Sequence, residues 1–299
     1  MDWKSHRIEA LLEQALIEDQ AVADATTNLT IDPNLRASGA IIARQDMTVA
    51  GLGAVPRLFE IFARLDPRPP AHTRFEVVSH PEIFDGVRVH AGQVLAVIRH
   101  NARALLSCER VILNLIQHLS GIATLTRQYA DAIQGTHAHV LDTRKTVPGL
   151  RALEKYAVLC GGGTNHRIDL ASGILIKNNH IALGGGLPAV LKRAIESRKP
   201  GQRVQVEVRN QRELEEALAD GAEAILLDNM SPQQVRQSVE VVRNATQKQA
   251  GRWIPTEASG GINLDNIRAF AETGVDFISV GALTHSAKAA DISMSITAE

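Results

Sequence analysis

Cysteine is almost missing from this 299-residue chain, which holds only Cys108 and Cys160. Two thiols so far apart have neither the number nor the spacing of a disulfide framework or a zinc cluster. Cys160 stands beside three glycines, which invites a nucleophilic reading, but inert filler is the expectation for both thiols. Aromatic residues make up 3% of the chain, and acidic and basic residues cancel to a net charge of -1. That leaves no basic stripe with interleaved stacking rings, so no nucleic acid is expected as a partner. Long apolar runs are absent too. The start, Met1-Asp-Trp-Lys-Ser-His-Arg7, leads into an amphipathic segment, and nothing approaches the ~20 apolar residues that span a bilayer. No membrane partner is expected, and a cytoplasmic location is the default. What is present is 44% hydrophobic and 22% charged residues. This is an ordinary globular composition, with enough chain for a sizeable core and two domains.

Against that near-neutral background, the stretch from Asp142 to His180 concentrates Arg144, Lys145, Arg151, Lys155, His166, Arg167, Lys177 and His180. A local cationic excess is a focused field rather than a polyanion-binding surface. It points to a pocket for a small molecule that carries several negative charges.

The first third reads as α+β. Ile8, Leu11, Leu12, Ala15 and Leu16 recur at helical spacing, which predicts an amphipathic helix over Ser5 to Glu18. Gly39 to Arg44 is a strand candidate, and Val55 to Leu65 a helix that stops at Asp66-Pro-Arg-Pro-Pro70, a connecting loop. Phe75 to Val78 and Val94 to Ile98 read as strands, with turns at Asp85-Gly86 and Ala91-Gly92. Together these predict an N-terminal α+β sandwich domain over residues 1–119. Leu105, Leu106, Cys108, Val111, Ile112, Leu115 and Leu119 then form the apolar face of a long helix. Ser120-Gly121 is expected to break it and to mark the domain boundary.

Beyond Thr136, strand-length apolar runs alternate with helical segments. The runs begin at His139, Gly173, Arg203, Ala224, Ile254 and Val275. The helices cover Pro188 to Ser197, Gln211 to Ala219, Ser231 to Asn244 and Leu264 to Thr273. Alternation of this kind means parallel strands. A full eight-unit barrel usually needs ~250 residues, so the reading is a shortened, six- to seven-stranded parallel α/β barrel over residues 120–286. Residues 287–299 are expected to return to the first domain.

Each strand is followed by a polar group: Asp142-Thr-Arg-Lys145, Lys177, Glu207, Asp228-Asn229, Ser259-Gly-Gly261 and Gly281 in turn. C-terminal strand ends of a parallel barrel converge on one mouth, so these groups should line one cavity. The competing reading, that each charge closes a strand at a solvated loop, fits single residues better than the set. Ser259-Gly260-Gly261 and Gly281 resemble the phosphate cup of many barrels. Gly161-Gly-Gly163 reads as a turn that lets Asn165-His166-Arg167 approach a ligand closely.

The ordered motifs Asp142-Thr-Arg-Lys-Thr-Val-Pro-Gly-Leu-Arg151, Glu154-Lys-Tyr-Ala-Val158, Gly161-Gly-Gly-Thr-Asn-His-Arg167, Leu175-Ile-Lys-Asn-Asn-His-Ile181, Leu227-Asp-Asn-Met230, Glu257-Ala-Ser-Gly-Gly-Ile262 and Gly281-Ala-Leu-Thr-His-Ser286 resemble the quinolinate phosphoribosyltransferase family. Ala15-Leu-Ile-Glu-Asp19 and Glu109-Arg-Val-Ile-Leu-Asn114 extend the likeness over nearly the whole chain. The resemblance implies a decarboxylating phosphoribosyl transfer in NAD biosynthesis. Quinolinate and phosphoribosyl pyrophosphate are the substrates and Mg2+ the cofactor.

It further implies that Arg144, His166 and Arg167 hold the quinolinate carboxylates, that Thr143 is among the substrate-binding residues, and that Lys145 and Lys177 lie between those carboxylates and the pyrophosphate. Glu207 and Asp228 would face the ribose and bind magnesium, with Lys145, Lys177, Glu207 and Asp228 the catalytic set. The 5-phosphate would sit on Ser259, Gly260, Gly261 and Gly281. Arg110, on the first-domain helix, would enter the active site of a neighbouring subunit, which implies a homodimer with shared sites or a larger assembly of such dimers. A paralogous phosphoribosyltransferase with another acceptor, or a non-catalytic phosphate-binding barrel, are the alternatives. Ala23, Ser172 and Asn178 depart from the family pattern, where glycine, an acid and an acid are common.

Overall fold

The computed structural model describes residues 1–67, 74–248 and 253–299. The Arg68-Pro69-Pro70 part of the expected proline loop lies outside the described residues. In chain order the first elements are α1 (His6–Glu18), a 3-10 turn (Ala21–Ala23), α2 (Ala25–Thr30), β1 (Arg36–Ala43), β2 (Met47–Thr48) and α3 (Ala54–Leu65). They are followed by β3 (Glu76–Val78), β4 (Arg88–Val89), β5 (Val94–Asn101) and α4 (Ala102–Ala132). Then come β6 (His139–Leu141), α5 (Arg151–Cys160), β7 (Ile174–Ile176), α6 (Asn178–Leu183), α7 (Leu187–Ser197) and β8 (Val204–Val208). The chain closes with α8 (Gln211–Ala219), β9 (Ala224–Asp228), α9 (Pro232–Lys248), β10 (Thr256–Ser259), α10 (Ile267–Ala271), β11 (Phe277–Ser279), α11 (Ala282–His285) and β12 (Ile292–Ala298).

Two compact units emerge: residues 1–125, 152–162 and 287–299 in one, residues 126–151 and 163–286 in the other. The first is built on an antiparallel sheet in the order β12-β1-β5-β3. β1 alternates buried and part-exposed residues along its length, as a strand with one covered face must. Helix α3 buries Ala54, Val55, Leu58, Phe59, Ile61 and Phe62. The spacing of these six residues gives one continuous apolar stripe. The thiol of Cys108 is fully buried, and burial pushes its pKa up, away from nucleophilic use. Burial also raises the half-buried Cys160, to about 11, so the filler expectation suits both.

The second unit is a six-stranded, wholly parallel sheet in the order β6-β11-β10-β9-β8-β7. This is the expected α/β class, with six strands. Among the described residues β6 and β7 do not pair, and the single parallel bridge Leu141 to Thr164 extends the β6 edge. Ser231 caps α9, its hydroxyl accepting the Gln234 N–H at 3.3 Å. Helix α10 is shorter than predicted. The Asn263 side chain accepts the N–H groups of Asp265 and Asn266, and this Asx turn holds the segment before Ile267 out of the helix.

The helix break expected at Ser120-Gly121 is corrected. Ser120 and Gly121 lie inside α4, which runs unbroken for 31 residues, and the units divide after Leu125. The Ser120 hydroxyl accepts the Ala50 N–H at 3.0 Å. A Cβ on Gly121 would overlap the Lys288 carbonyl oxygen. The pair thus serves close approach by neighbouring backbone, a use that local sequence cannot distinguish from a helix stop. Residues 152–162, expected with the barrel, group with the first unit.

Gly121→Ala should therefore destabilise the protein. The better helix propensity of alanine offers about 1 kcal/mol, whereas overpacking against backbone costs about 1–3 kcal/mol. Urea titration followed by circular dichroism should show a lowered midpoint; a raised one would contradict the close approach.

Candidate active site

Asp142, the first residue after β6, is fully buried, and its Oδ1 accepts the His166 N–H at 2.8 Å. The Thr164 N–H donates to the Val140 carbonyl and the Asp142 N–H to the Thr164 carbonyl. This short ladder lays residues 164–166 along the tip of β6 and carries His166 and Arg167 to the mouth of the sheet. The Arg167 guanidinium is steadied by an Nη1–H bond to the Gly173 carbonyl at 2.9 Å.

The C-terminal strand ends surround a cavity of about 590 Å³. The loop after β6 contributes Thr143, Arg144 and Lys145, and the 164–167 segment adds His166 and Arg167. Lys177 follows β7, Glu207 lies in β8 and Asp228 ends β9. Ser259, Gly260 and Gly261 close β10, and Gly281 precedes α11. Of the thirteen residues singled out from sequence, only Arg110 is elsewhere, exposed on α4 in the first unit.

Three of the eight clustered cations do not reach this cavity. Arg151 hydrogen-bonds Thr146 Oγ1 and the Ile168 carbonyl, which ties down its own loop. Lys155 is buried on α5 in the first unit. His180 Nδ1 accepts the Lys177 N–H at 2.9 Å and so serves the first turn of α6. The count of cations was right for the segment and too high for the site, because helices turn some of them away.

The charges that do converge are not independent. Partial burial, and then the neighbouring Arg144, pull Arg167 below the ordinary arginine value, with Asp169 and Glu257 acting the other way. Among the described residues, the buried Nε of Arg144 has no hydrogen-bond partner. Lys177 Nζ lies 2.7 Å from Glu207 Oε2, an ion pair that the sequence reading did not foresee. Asn229 adopts left-handed backbone (φ 55°), donates its side-chain Nδ2–H to Asp228 Oδ2 and donates its backbone N–H to the Ser259 carbonyl. Gly260, at φ 99°, passes so close to the Asn229 side chain that a Cβ would collide with it. Glycine is required there.

Two titratable lining residues, Glu257 and His285, were given no role from the sequence. Glu257 stands two positions before Ser259, so strand alternation alone places both on the same face. An acid within an apolar strand was the available signal. His285, four residues after Gly281, shares its helical face and lies beside it. Ser172, one of the three departures, closes an Asp169 to Ser172 turn by donating its N–H to Asp169 Oδ1. Ala23 needs no glycine, since its φ is not positive.

Comparison with known proteins assigns this arrangement. Residues 122–295 match the model of the quinolinate phosphoribosyl transferase C-terminal domain, and residues 24–120 that of its N-terminal domain. A probable nicotinate-nucleotide pyrophosphorylase [carboxylating] of Bacillus subtilis (strain 168) is 40% identical over 97% of this chain and 94% of its own. The nicotinate-nucleotide pyrophosphorylase [carboxylating] of Mycobacterium leprae (strain TN) is 40% identical over 95% of each chain. The crystal structure of NadC from Streptococcus pyogenes superposes with a TM-score of 0.88 at 37% identity, covering 100% of this chain and 99% of that one. The chain belongs to the quinolinate phosphoribosyltransferase family.

Proposed function

We propose that this protein transfers the phosphoribosyl group of phosphoribosyl pyrophosphate to quinolinate, releasing pyrophosphate and CO2 and leaving nicotinate mononucleotide. One observation carries the reading. Arg144, Lys145, Arg167 and Lys177 share a single cavity with Glu207 and Asp228, as a ligand pair rich in carboxylate and phosphate demands. Guanidinium groups suit the two adjacent carboxylates of quinolinate, because their planar donors bind such oxygens in pairs. The neighbouring Arg144 and Arg167 leave a cation uncompensated when the acceptor has one carboxylate, which favours a dicarboxylate over nicotinate.

In this reading Arg144, His166 and Arg167 form the acceptor end, with Thr143 beside them. Lys145 and Lys177 face the pyrophosphate, and Ser259, Gly260, Gly261 and Gly281 cradle the 5-phosphate with backbone N–H groups. Glu207 and Asp228 face the ribose. Their charge stabilises the oxocarbenium-like state formed as the C1–pyrophosphate bond breaks and the pyridine nitrogen forms its bond to C1. The ring is then a pyridinium. The bond from C2 to its carboxylate breaks with its electron pair left on C2, beside the cationic nitrogen, and a proton replaces CO2.

Magnesium fits this donor set only in company with substrate. Among the described residues no three His, Cys, Asp or Glu side chains gather as a cage, and Glu207 is paired with Lys177. Magnesium habitually binds through one or two carboxylates plus substrate phosphates, and Glu207 and Asp228 supply such a pair. When bound, it would neutralise charge on the leaving pyrophosphate. We further infer a homodimer in which Arg110 completes the partner's cavity, an arrangement supported by its exposure on α4.

The direct test is CO2 release with quinolinate, phosphoribosyl pyrophosphate and magnesium, beside nicotinate as acceptor; turnover of nicotinate alone would overturn the reading. Arg144→Lys should raise the quinolinate KM by about 10- to 100-fold, the equivalent of a charge-assisted hydrogen bond, and change the phosphoribosyl pyrophosphate KM much less. Equal rises in both would place Arg144 elsewhere. Mixing Arg110→Ala with Lys177→Ala subunits should restore up to about one quarter of native activity, since a hybrid dimer holds one intact site. No recovery despite demonstrated subunit exchange rules out shared sites.

A further inference from the structure

Glu257 has no part in the mechanism above, yet both of its carboxylate oxygens are engaged. It lies in β10, paired in register with Leu226 of β9 and Phe277 of β11, and is 4% exposed. Ser279 Oγ donates to its Oε1, Gln205 Nε2 donates to its Oε2 at 2.8 Å, and His166 Nε2 lies 3.2 Å from the same Oε2. Burial works to raise the carboxyl pKa, but the hydrogen bond from His166, then those from Ser279 and Gln205, outweigh it and hold it below the usual value. The group is a buried carboxylate with both oxygens engaged.

The imidazole is committed on its other side too. His166 Nδ1 accepts the Arg167 N–H at 2.8 Å, and a ring nitrogen that accepts carries no proton. The proton of the neutral ring is therefore on Nε2, directed at Glu257. The His166 N–H is held in turn by Asp142. Two buried carboxylates, Asp142 and Glu257, thus clamp the residue from its backbone and from its ring. The next residue is Arg167, whose amide the ring receives. His166, Arg167 and Glu257 also form a wall, since all three line both the main cavity and a second cavity of about 410 Å³ among the strand starts.

We propose that Glu257 is a positioning residue: it fixes His166 as the Nε2–H tautomer and thereby aims Arg167 at the acceptor end of the cavity, without touching either substrate. Two consequences follow from the geometry. His166 serves as a wall and backbone anchor, so the ionic contacts to the acceptor fall to Arg144 and Arg167. The negative charge of Glu257 also offsets the mutual repulsion of those two guanidiniums in the empty site. Its kinetic consequences rest on the function proposed above, whereas its structural content does not.

The test compares Glu257→Leu, which removes the acceptor, with Glu257→Gln, which keeps a carbonyl oxygen in the same place. Protein labelled with 15N-histidine reports the tautomer by NMR, the His166 signals being assigned with His166→Gln. The native protein should show Nε2 protonated and Nδ1 bare, Glu257→Gln should keep that state, and Glu257→Leu should lose it. In steady-state assays Glu257→Leu should raise the quinolinate KM by about 10- to 100-fold, the scale of a misplaced binding group, with the phosphoribosyl pyrophosphate KM within about twofold. Glu257→Gln should recover most of that loss. A native His166 protonated on both nitrogens, equal damage by Leu and Gln, or a parallel rise in both KM values with a fall in Tm would each overturn the proposal. Should Glu257→Leu not fold, the native and Glu257→Gln spectra still decide. Native protein inactive toward quinolinate but carrying the expected tautomer would reject the function and leave the positioning role standing.

Discussion

Repulsion among like charges is the constraint that shapes this molecule. Arg144, Lys145, Arg167 and Lys177 share one cavity, and Arg144 works against the charge on Arg167. A fold can hold such a set only by answering it locally. Glu207 answers Lys177 directly. Glu257 acts on Arg167 through space and on His166 through a hydrogen bond. Asp142 holds the backbone between them. The remaining excess of positive charge is what a multiply anionic ligand pair would neutralise, so the site's strain in the empty state and its affinity in the filled state have one origin.

The parallel sheet makes this arrangement possible. Six strands point their C-terminal ends the same way, so one polar residue at each end suffices to build a site from chain segments far apart in sequence. Edge geometry matters as well. Because β6 and β7 do not pair, the segment between them is free to run along β6 through Thr164 and deliver His166 and Arg167 into the mouth.

Much of this was legible in the sequence, for physical reasons. Strand-length apolar runs separated by amphipathic segments marked the six parallel strands, the groups after each run located ten cavity-lining positions, and the family resemblance added His166 and Arg167. Three things were not legible. Arg151, Lys155 and His180 look like site cations in one dimension, but helical rotation and the transfer of residues 152–162 to the other unit take them away. Ser120-Gly121 carries a stop signal, and only the Lys288 backbone lying against Gly121 shows why a glycine stands inside a continuous helix. Glu257 stood within a motif with no role of its own, since nothing in a single sequence reveals that Ser279, Gln205 and His166 converge on it. The recurring obstacle is that contacts between segments decide what a charge or a glycine is for.

The central claim is that separate loops place their cations around one hollow that takes a doubly acidic pyridine. A crystal structure with quinolinate bound tests it most directly. The account predicts both carboxylates within hydrogen-bonding distance of the Arg144 and Arg167 guanidiniums, at the mouth of the six-stranded sheet and with Glu257 still on His166. Quinolinate seated elsewhere, or bound in that cavity with either guanidinium turned away, would contradict it.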